Sequence, residues 1–292
     1  MAGITLAQLA QVTKDPIKKY MGMQLIRDSK ILEMLPFENV SGLNVKAYWW
    51  EKLPTGGTWR GLNETYSSYE DGQLGDGSES VYGFGGEITY DKVLEKIKDV
   101  IGDPIQLQVD ARLKSLAIDW NDKFINGDVA TDPKSFNGLK VRVANMDTRQ
   151  TIYAAASNVA PFDPTADADN ARRFINLFNR GVRYCNAGGC DAIIMNENMI
   201  IGFSQVLSLM QGTGNYLKIT EDSYGREEVS FRGVKFIDPG LKQDQSTEII
   251  TETEVAGDAG TDSTSIYFVA LNKDNGVYGI QLNEFDAYKV NN

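Results

Sequence analysis

An α+β fold is predicted by three observations in the sequence. One long, well-capped helical period occupies residues 103–127. Strand-like limbs rich in glycine and aromatics precede it over 41–92. After it, residues 163–210 alternate helix, strand and helix, and strand composition returns at 227–237 and 265–290. The 292 residues suffice for a sizeable core and one or two domains. Apolar content of 42% and charged content of 24% are ordinary for a soluble chain, and no apolar run approaches the length of a membrane span. No charged-then-apolar leader opens the chain, so secretion is not expected.

Residues 1–35 read as an amphipathic arm. Stretches 5–12 and 17–25 have helical character, and Asp15-Pro16 restarts a turn. The apolar side chains are too sparse for a core of their own. The arm is therefore expected to lie across its own body or a neighbour, and Pro36 ends it.

Residues 41–92 differ in kind. Val45, Tyr48, Trp49 and Trp50 give 43–50 strand composition. A tip follows with Pro54, Gly56, Gly57 and Gly61, and a second limb returns over 78–90. Between Lys52 and Tyr90 the only basic residue is Arg60, against Glu64, Glu70, Asp71, Asp76, Glu79 and Glu87. The excursion holds Trp49, Trp50 and Trp59, three of the four tryptophans, together with Tyr66, Tyr69 and three more tyrosines. A long loop with so little to bury is usually functional or disordered. Aromatics on a thin hairpin either fold back on the parent domain or await a partner surface.

The helix of 103–127 has Asp103 to accept free N–H groups, Pro104 at the first helical position and Gln106 where a capping box closes. Val109, Leu113, Leu116, Ala117, Trp120 and Phe124 form one apolar face, and Gly127 supplies a left-handed stop. At about 1.5 Å per residue it runs roughly 35 Å, a spine for the chain. Residues 135–143 read as a turn entering a strand. A helix over 169–185 buries Ala171, Phe174, Ile175, Phe178 and Val182. Residues 191–195 form a short apolar strand. Asn196 or Asn198 caps a second helix with Ile200, Phe203, Val206, Leu207 and Met210 on its face. A polar loop over 211–226 leads to a strand at 227–237, which Asp238-Pro239-Gly240 stops. Residues 244–262 carry six carboxylates and no basic residue, and read as an exposed or mobile connection. The stretches 265–271 and 276–290 form a last strand pair.

The chemistry-bearing motifs are weak. There is no histidine, which removes Ser-His-Asp and Cys-His catalysis and His-ligated metals. Cys185 and Cys190 flank NAGG, a gap that is not C-x-x-C, and no second pair completes a zinc site. A small disulfide loop belongs to an oxidising compartment, and a cytosolic chain would keep two unpaired thiols there. Gly83-x-Gly85-Gly86 is followed by EITYDK rather than a helix N-terminus, so a dinucleotide site is not expected. Thr55-Gly56-Gly57-Thr58 lacks the Gly-Lys-Ser/Thr of a phosphate loop. Asp163, Asp167 and Asp169 resemble half a calcium loop but also suit a helix N-terminus. Glu227 and Glu228 point to opposite faces of a strand and make poor acid/base partners. No catalytic residue, cofactor or metal is expected.

Net charge is −11. Residues 1–30 carry Lys14, Lys18, Lys19, Arg27 and Lys30 against Asp15 and Asp28, a local +3 that leaves −14 for the rest. Such an acidic body lacks the basic face of a nucleic-acid binder. The basic arm either meets acidic partners or is a solvated helix face.

The order of parts resembles the major capsid proteins of tailed bacteriophages, the HK97-like fold. The opening ITLAQLAQVTKDPIKKYMGMQLIRDSKILEMLPF, the hairpin's TWRGLNETY, and FINGDVATDPKSFNGLKVRV after the spine are similar to one capsid-protein group. So is the run-out through FRGVKFIDPG, SIYFVALN and GVYGIQLNEF. The resemblance covers nearly the whole chain and rests on the ordered set rather than on one motif.

The resemblance implies an N-arm at 1–40, an extended E-loop at 41–92 lying over a neighbouring subunit, and a P-domain at 93–150 containing the spine helix. It implies an α/β A-domain at 151–255 and C-terminal strands at 256–292 returning to the P-domain. Subunit contacts would come from Trp49, Trp50, Trp59, Arg60, Tyr66 and Tyr69 in the E-loop and from Lys14, Lys18, Lys19 and Arg27 in the arm. Gly212, Gly214 and Asn215 would line the capsomer axis. The implied partners are other copies of the chain in hexamers and pentamers of an icosahedral shell, a portal and decoration proteins, and DNA held only by weak non-specific contact. No membrane is implied. Because the arm stands first, a separate scaffolding protein or a removed segment is implied. Assembly would occur in the host bacterial cytoplasm and the product would be the virion. Encapsulin compartments share this fold and enclose cargo enzymes. A glycan- or calcium-binding adhesin is the alternative from another class, suggested by the acidic and aromatic loops.

Overall fold

A computed structural model describes residues 4–8, 15–54, 57, 59–66, 71–88, 104–144, 151–154, 163–185, 189–209, 217–221, 227–255, 263–273 and 276–282. Among them 38% are helical and 21% lie in strands, which makes the chain a mixed helix-and-sheet protein. The strands among the described residues fall into three sheets.

The first described element is β1 (Ile4–Thr5). Thr5 Oγ1 accepts from the Gln8 N–H while Gln8 Oε1 accepts from the Thr5 N–H, a reciprocal cap on the turn that follows. Helix α1 (Pro16–Asp28) begins on the proline, with the Asp15 carbonyl accepting from Lys19. Ser29 caps α2 (Lys30–Met34) by accepting from the Leu32 N–H, and Leu35 leaves in extended backbone ahead of Pro36. Strand β2 (Pro36–Asn39) then pairs antiparallel with β1. Of the two placements open to the arm, residues 16–37 take the first. Leu25 and Leu32 bury against Leu113 and Ala117 of the chain's own long helix, and the Tyr20 hydroxyl donates to Asp110 at 2.6 Å. That bond holds the Tyr20 phenol above its ordinary range.

The long helix is α3 (Pro104–Asn126). Asp103 lies outside the described residues, and the Gln106 amide donates to Asp110 one turn on. Leu113, Ala117, Phe124 and Ile125 are buried, with Val109, Leu116 and Trp120 half-buried beside them. Gly127 departs from expectation because its φ is not positive. Its role is close approach: a Cβ there would collide with the carbonyl oxygens of Lys123 and Phe136. Gly138 faces it, donating its N–H to the Gly127 carbonyl at 2.8 Å, and a Cβ at Gly138 would lie 2.6 Å from the Ile125 oxygen. The chain turns back against the helix end through two glycines.

The strand expected near 135–143 is instead a short helix, α4 (Leu139–Ala144). Val141 and Val143 favour strands locally. Here Leu139 is buried against the end of α3, and the Gly138 carbonyl accepts from Arg142, which together start a helical turn.

A five-stranded sheet forms the second half, in the order β6-β7-β8-β5-β9. These are β5 (Ala192–Ile194), β6 (Leu217–Glu221), β7 (Glu227–Phe231), β8 (Val234–Ile237) and β9 (Tyr267–Val269). The pairing of β5 with β8 is parallel and the rest are antiparallel. Helices α5 (Ala168–Tyr184) and α6 (Glu197–Leu209) cover one face. Asp167 caps α5 by accepting from the Asn170 N–H, and Asn196, one of the two candidates, caps α6 by accepting from Met199. The alternation along β5 divides two cores. Ile193 and Met195 join Phe174, Phe178, Phe203, Phe231 and Phe236 under the helices. Ala192 and Ile194 face Ile31, Phe124 and Ile125, so the sheet's other face packs on the end of α3 and on the arm.

Three further expectations are corrected. The strand of 227–237 is a hairpin: Arg232 (φ 53°) and Gly233 (φ 86°) turn β7 into β8. Two consecutive left-handed residues match the right-handed twist of the paired strands. The acidic segment is not simply an exposed connection. Ile249 and Ile250 are fully buried in the core at the end of α3, and the Asn126 amide donates to the Ile249 carbonyl. The Asp244 carboxylate folds onto Ser246 and Thr247, whose N–H groups and hydroxyl hold it well below the usual range. Residues 256–262 lie outside the described set. Finally, among the described residues the two C-terminal stretches do not form a ladder with each other, although the Val277 N–H donates to the Ala270 carbonyl at 2.8 Å. Strand β9 joins β5, while β10 (Gly279–Gln281) runs parallel to β2, bringing the C-terminal part of the chain back to the arm.

At the stop after β8, the Asp238 carboxyl is held above the ordinary carboxylate range. Desolvation is the main cause, with the charges of Glu197 and Glu248 adding and the Gly240 N–H opposing. Folding raises this pKa, so its contribution favours the fold while the carboxyl is protonated and is lost as pH rises through the folded value. Asp238→Asn keeps an acceptor for Gly240. It is expected to raise the urea midpoint at neutral pH and to lose that advantage below about pH 3. An equal gain at both pH values would refute the electrostatic cause.

Candidate assembly surface

The two-stranded sheet carries the expected surface. Strands β3 (Asn44–Lys52) and β4 (Gln73–Ser80) pair antiparallel from Asn44↔Ser80 to Lys52↔Gln73, with an irregularity between Trp50 and Lys52. The returning strand starts earlier than the expected 78–90 and ends at Ser80, with described residues 81–88 outside any strand; Gly75 and Gly77 are poor strand formers that the ladder nonetheless accommodates. Of the described residues in β4 only Gly75 is buried.

Residues 60–66 at the tip are held by their own polar groups. The Gly61 N–H donates to the Glu64 carboxylate at 2.8 Å, the Glu64 N–H returns to the Gly61 carbonyl, and Asn63 adopts φ 67°, a region asparagine tolerates. Arg60 donates to the Glu64 carbonyl and its guanidinium lies 5.0 Å from the centre of the Tyr66 ring. Arg60 and Tyr66, two of the expected contact residues, are thus brought together. Trp59 is completely exposed at 103% and Leu62 is 97% exposed. Tyr48, Leu53, Tyr66 and Leu74 are exposed as well. A bare indole and leucine at the end of a thin hairpin is apolar area that the subunit itself leaves in water.

The foot of the hairpin is fixed to the spine. Phe84 meets Trp120 edge-on at 5.8 Å, and Phe136 and Phe37 flank the same indole at 5.2 and 6.1 Å. Glu79 pairs with Arg142 of α4 at 2.7 Å. These anchors escape a reading of the sequence because they join residues far apart in the chain. The only local hint is Phe84 amid glycines.

The other expected site residues are distributed as follows. Trp49 and Trp50 hold ladder positions opposite Gly75 and Leu74, and their side chains lie outside the described set. Tyr69, Lys14, Gly212, Gly214 and Asn215 also lie outside the described residues. Lys19 and Arg27 are exposed on α1 and Lys18 is half-buried there.

The calcium-like acidic run is occupied by local structure. The Asp163 carboxylate accepts from the Thr165 hydroxyl and N–H, which lower its pKa, Asp167 caps α5 and Asp169 pairs with Arg172. Among the described residues no group of three or more cysteine, aspartate or glutamate side chains converges as a metal site. No described helix is long and apolar enough to cross a membrane. No protein-family model and no curated protein matches the chain.

Proposed function

We propose that the chain is the shell-forming subunit of a tailed-bacteriophage capsid with an HK97-like fold. It assembles head-to-tail into hexamers and pentamers that close around double-stranded DNA. The observation that carries this reading is the exposed Trp59–Leu62 tip on a hairpin whose foot is anchored to α3. A rigid bar holding an unburied apolar finger away from its own core fits a surface completed by a neighbour. One copy's finger on a different patch of the next copy is a heterologous contact, the kind that closes into rings. The mixed helix-and-sheet architecture and the acidic balance agree with a container that does not grip its polyanionic contents. A scaffolding protein, a portal and decoration proteins complete the proposed partners. The proposed location is the virion, assembled in the host cytoplasm.

Expression alone and together with a scaffolding protein, followed by electron microscopy, tests the reading. Closed particles are expected. A product that stays strictly monomeric under all assembly conditions would overturn it. Deleting residues 53–76 is expected to leave a folded subunit, by circular dichroism, that assembles poorly. Normal particles from that variant would remove the hairpin from the mechanism.

A further inference from the structure

Helices α5 and α6 pack against each other over one face of the five-stranded sheet and send Phe174, Phe178 and Phe203 into its core. Their opposite faces look away from that core, and the composition there is unusual for this chain. The two helices together hold four arginines and no lysine, and their only carboxylates, Asp169 and Glu197, stand in the first turns. Arg172, Arg173, Arg180 and Arg183 are all exposed, spread along roughly 16 Å of α5. Four arginines against Asp169 give that helix +3 and, from a total of −11, leave −14 for the rest of the chain. Arg172 pairs with Asp169, while no carboxylate among the described residues pairs with Arg180 or Arg183. Arg180 is held instead by Tyr184, donating to its hydroxyl at 2.8 Å with the guanidinium 5.0 Å from the ring centre. In the same helix layer α6 exposes Ile201 at 52% and Leu209 at 39%.

We propose that this arginine ridge and the apolar residues of α6 are a contact between copies of the chain, received by an acidic surface of the next copy. Resting on the self-assembly proposed above, it adds a surface distinct from the Trp59–Leu62 tip. Arginine, tyrosine and apolar side chains without lysine are the composition of protein interfaces. Phosphates have no use for Ile201 and Leu209, and an acidic body repels a polyanion. The charge also sets the geometry. Two ridges meeting across a two-fold axis would place arginine against arginine in the contact. The ridge therefore meets a different face, and the acidic remainder of another copy supplies it. Such a heterologous contact propagates around a ring.

Sedimentation of the full-length chain over a range of concentrations, with electron microscopy of the same samples, tests this. Arg183→Glu should raise the concentration needed for association by at least about tenfold, because like charges then face each other. Lys134→Glu changes the net charge equally at an exposed site outside the two helices, and should leave that concentration within about twofold. A photo-crosslinking residue in place of Ile201 should bond to another copy outside α5 and α6. Equal losses in both variants, no loss in Arg183→Glu, or cross-links from ridge to ridge would each overturn the proposal. So would short duplex DNA that binds the wild type but not Arg183→Glu while association is unchanged. Closed particles from Arg183→Glu at wild-type concentrations would remove this contact and leave the shell reading standing. Open rings cross-linked through position 201, with no closed particles, would do the reverse.

Discussion

Phe178→Ala is expected to destabilise the fold by about 3–5 kcal/mol, the range for deleting a fully buried aromatic. Phe178 is 2% exposed at the centre of the core beneath α5 and α6. Its ring lies 4.8 Å from that of Phe203, 4.9 Å from Phe174, 5.2 Å from Phe268, 5.9 Å from Phe231 and 6.3 Å from Phe236. These partners come from both helices and three strands, so no single element can shift to fill the space. Phe231, Phe236 and Phe268 meet its ring edge to face, a preference lost together with the contact area, while Phe174 and Phe203 lie tilted against it. Gly181 explains how the cluster closes: a Cβ there would meet the Phe268 ring at 2.5 Å, so the helix approaches the sheet on a bare backbone. Urea unfolding measures the loss. Phe178→Leu should cost about 1–2 kcal/mol, and an alanine variant no worse than the leucine one would show that the core relaxes around the gap.

Asn121→Leu should cost about 3 kcal/mol although it preserves volume. Asn121 is buried in α3, and its amide joins three parts of the chain. Its oxygen accepts from the Ser29 hydroxyl at 2.6 Å and its nitrogen donates to the Pro239 carbonyl at 3.2 Å. Ser29 is itself the cap of α2, accepting from the Leu32 N–H. Leucine would leave the Ser29 hydroxyl and the Pro239 carbonyl without that partner, and orphaned buried polar groups cost about 1–3 kcal/mol each. The loss should fall first on the arm, read as earlier protease cleavage within 16–37. With Ser29→Ala as the second mutation, the two effects should be less than additive in urea unfolding. Strict additivity would mean that the bridge contributes nothing.

Where the determinants are local, the sequence was informative. The caps on α5 and α6 are short polar side chains one turn ahead of an apolar period, and the faces of α3 and α5 follow from spacing alone. The fold was illegible where the decisive partner is distant or the local signal is unusual. An arginine takes the left-handed turn between β7 and β8, where asparagine or glycine would have announced a hairpin. Ile249-Ile250 is a two-residue plug inside a stretch whose average composition is acidic, so averaging hid it. The valines of α4 carry a strand preference that packing on α3 overrides. At the candidate surface the aromatic content was visible in composition, as was the shortage of anything to cover it. The fixing of its foot through Phe84, Trp120 and the Glu79–Arg142 pair was not, since it joins loop, spine and a helix expected as strand.

The parallel seating of β10 beside β2 has a consequence in time. The Gln281 amide donates to Asn39 across 242 residues of sequence, the N–H of Val40 reaches the Gln281 carbonyl, and Lys273 pairs with Glu38 beside them. A ribosome adding about 5–20 residues per second completes that interval in roughly ten to fifty seconds. Until residue 281 has emerged, this edge of β2 has no intramolecular strand to occupy it, and an open edge is a template for pairing with other chains. The contacts of residues 16–37 with α3 can form well before this edge of β2 is covered. Crowded synthesis of many copies therefore sets a race between the chain's own β10 and its neighbours.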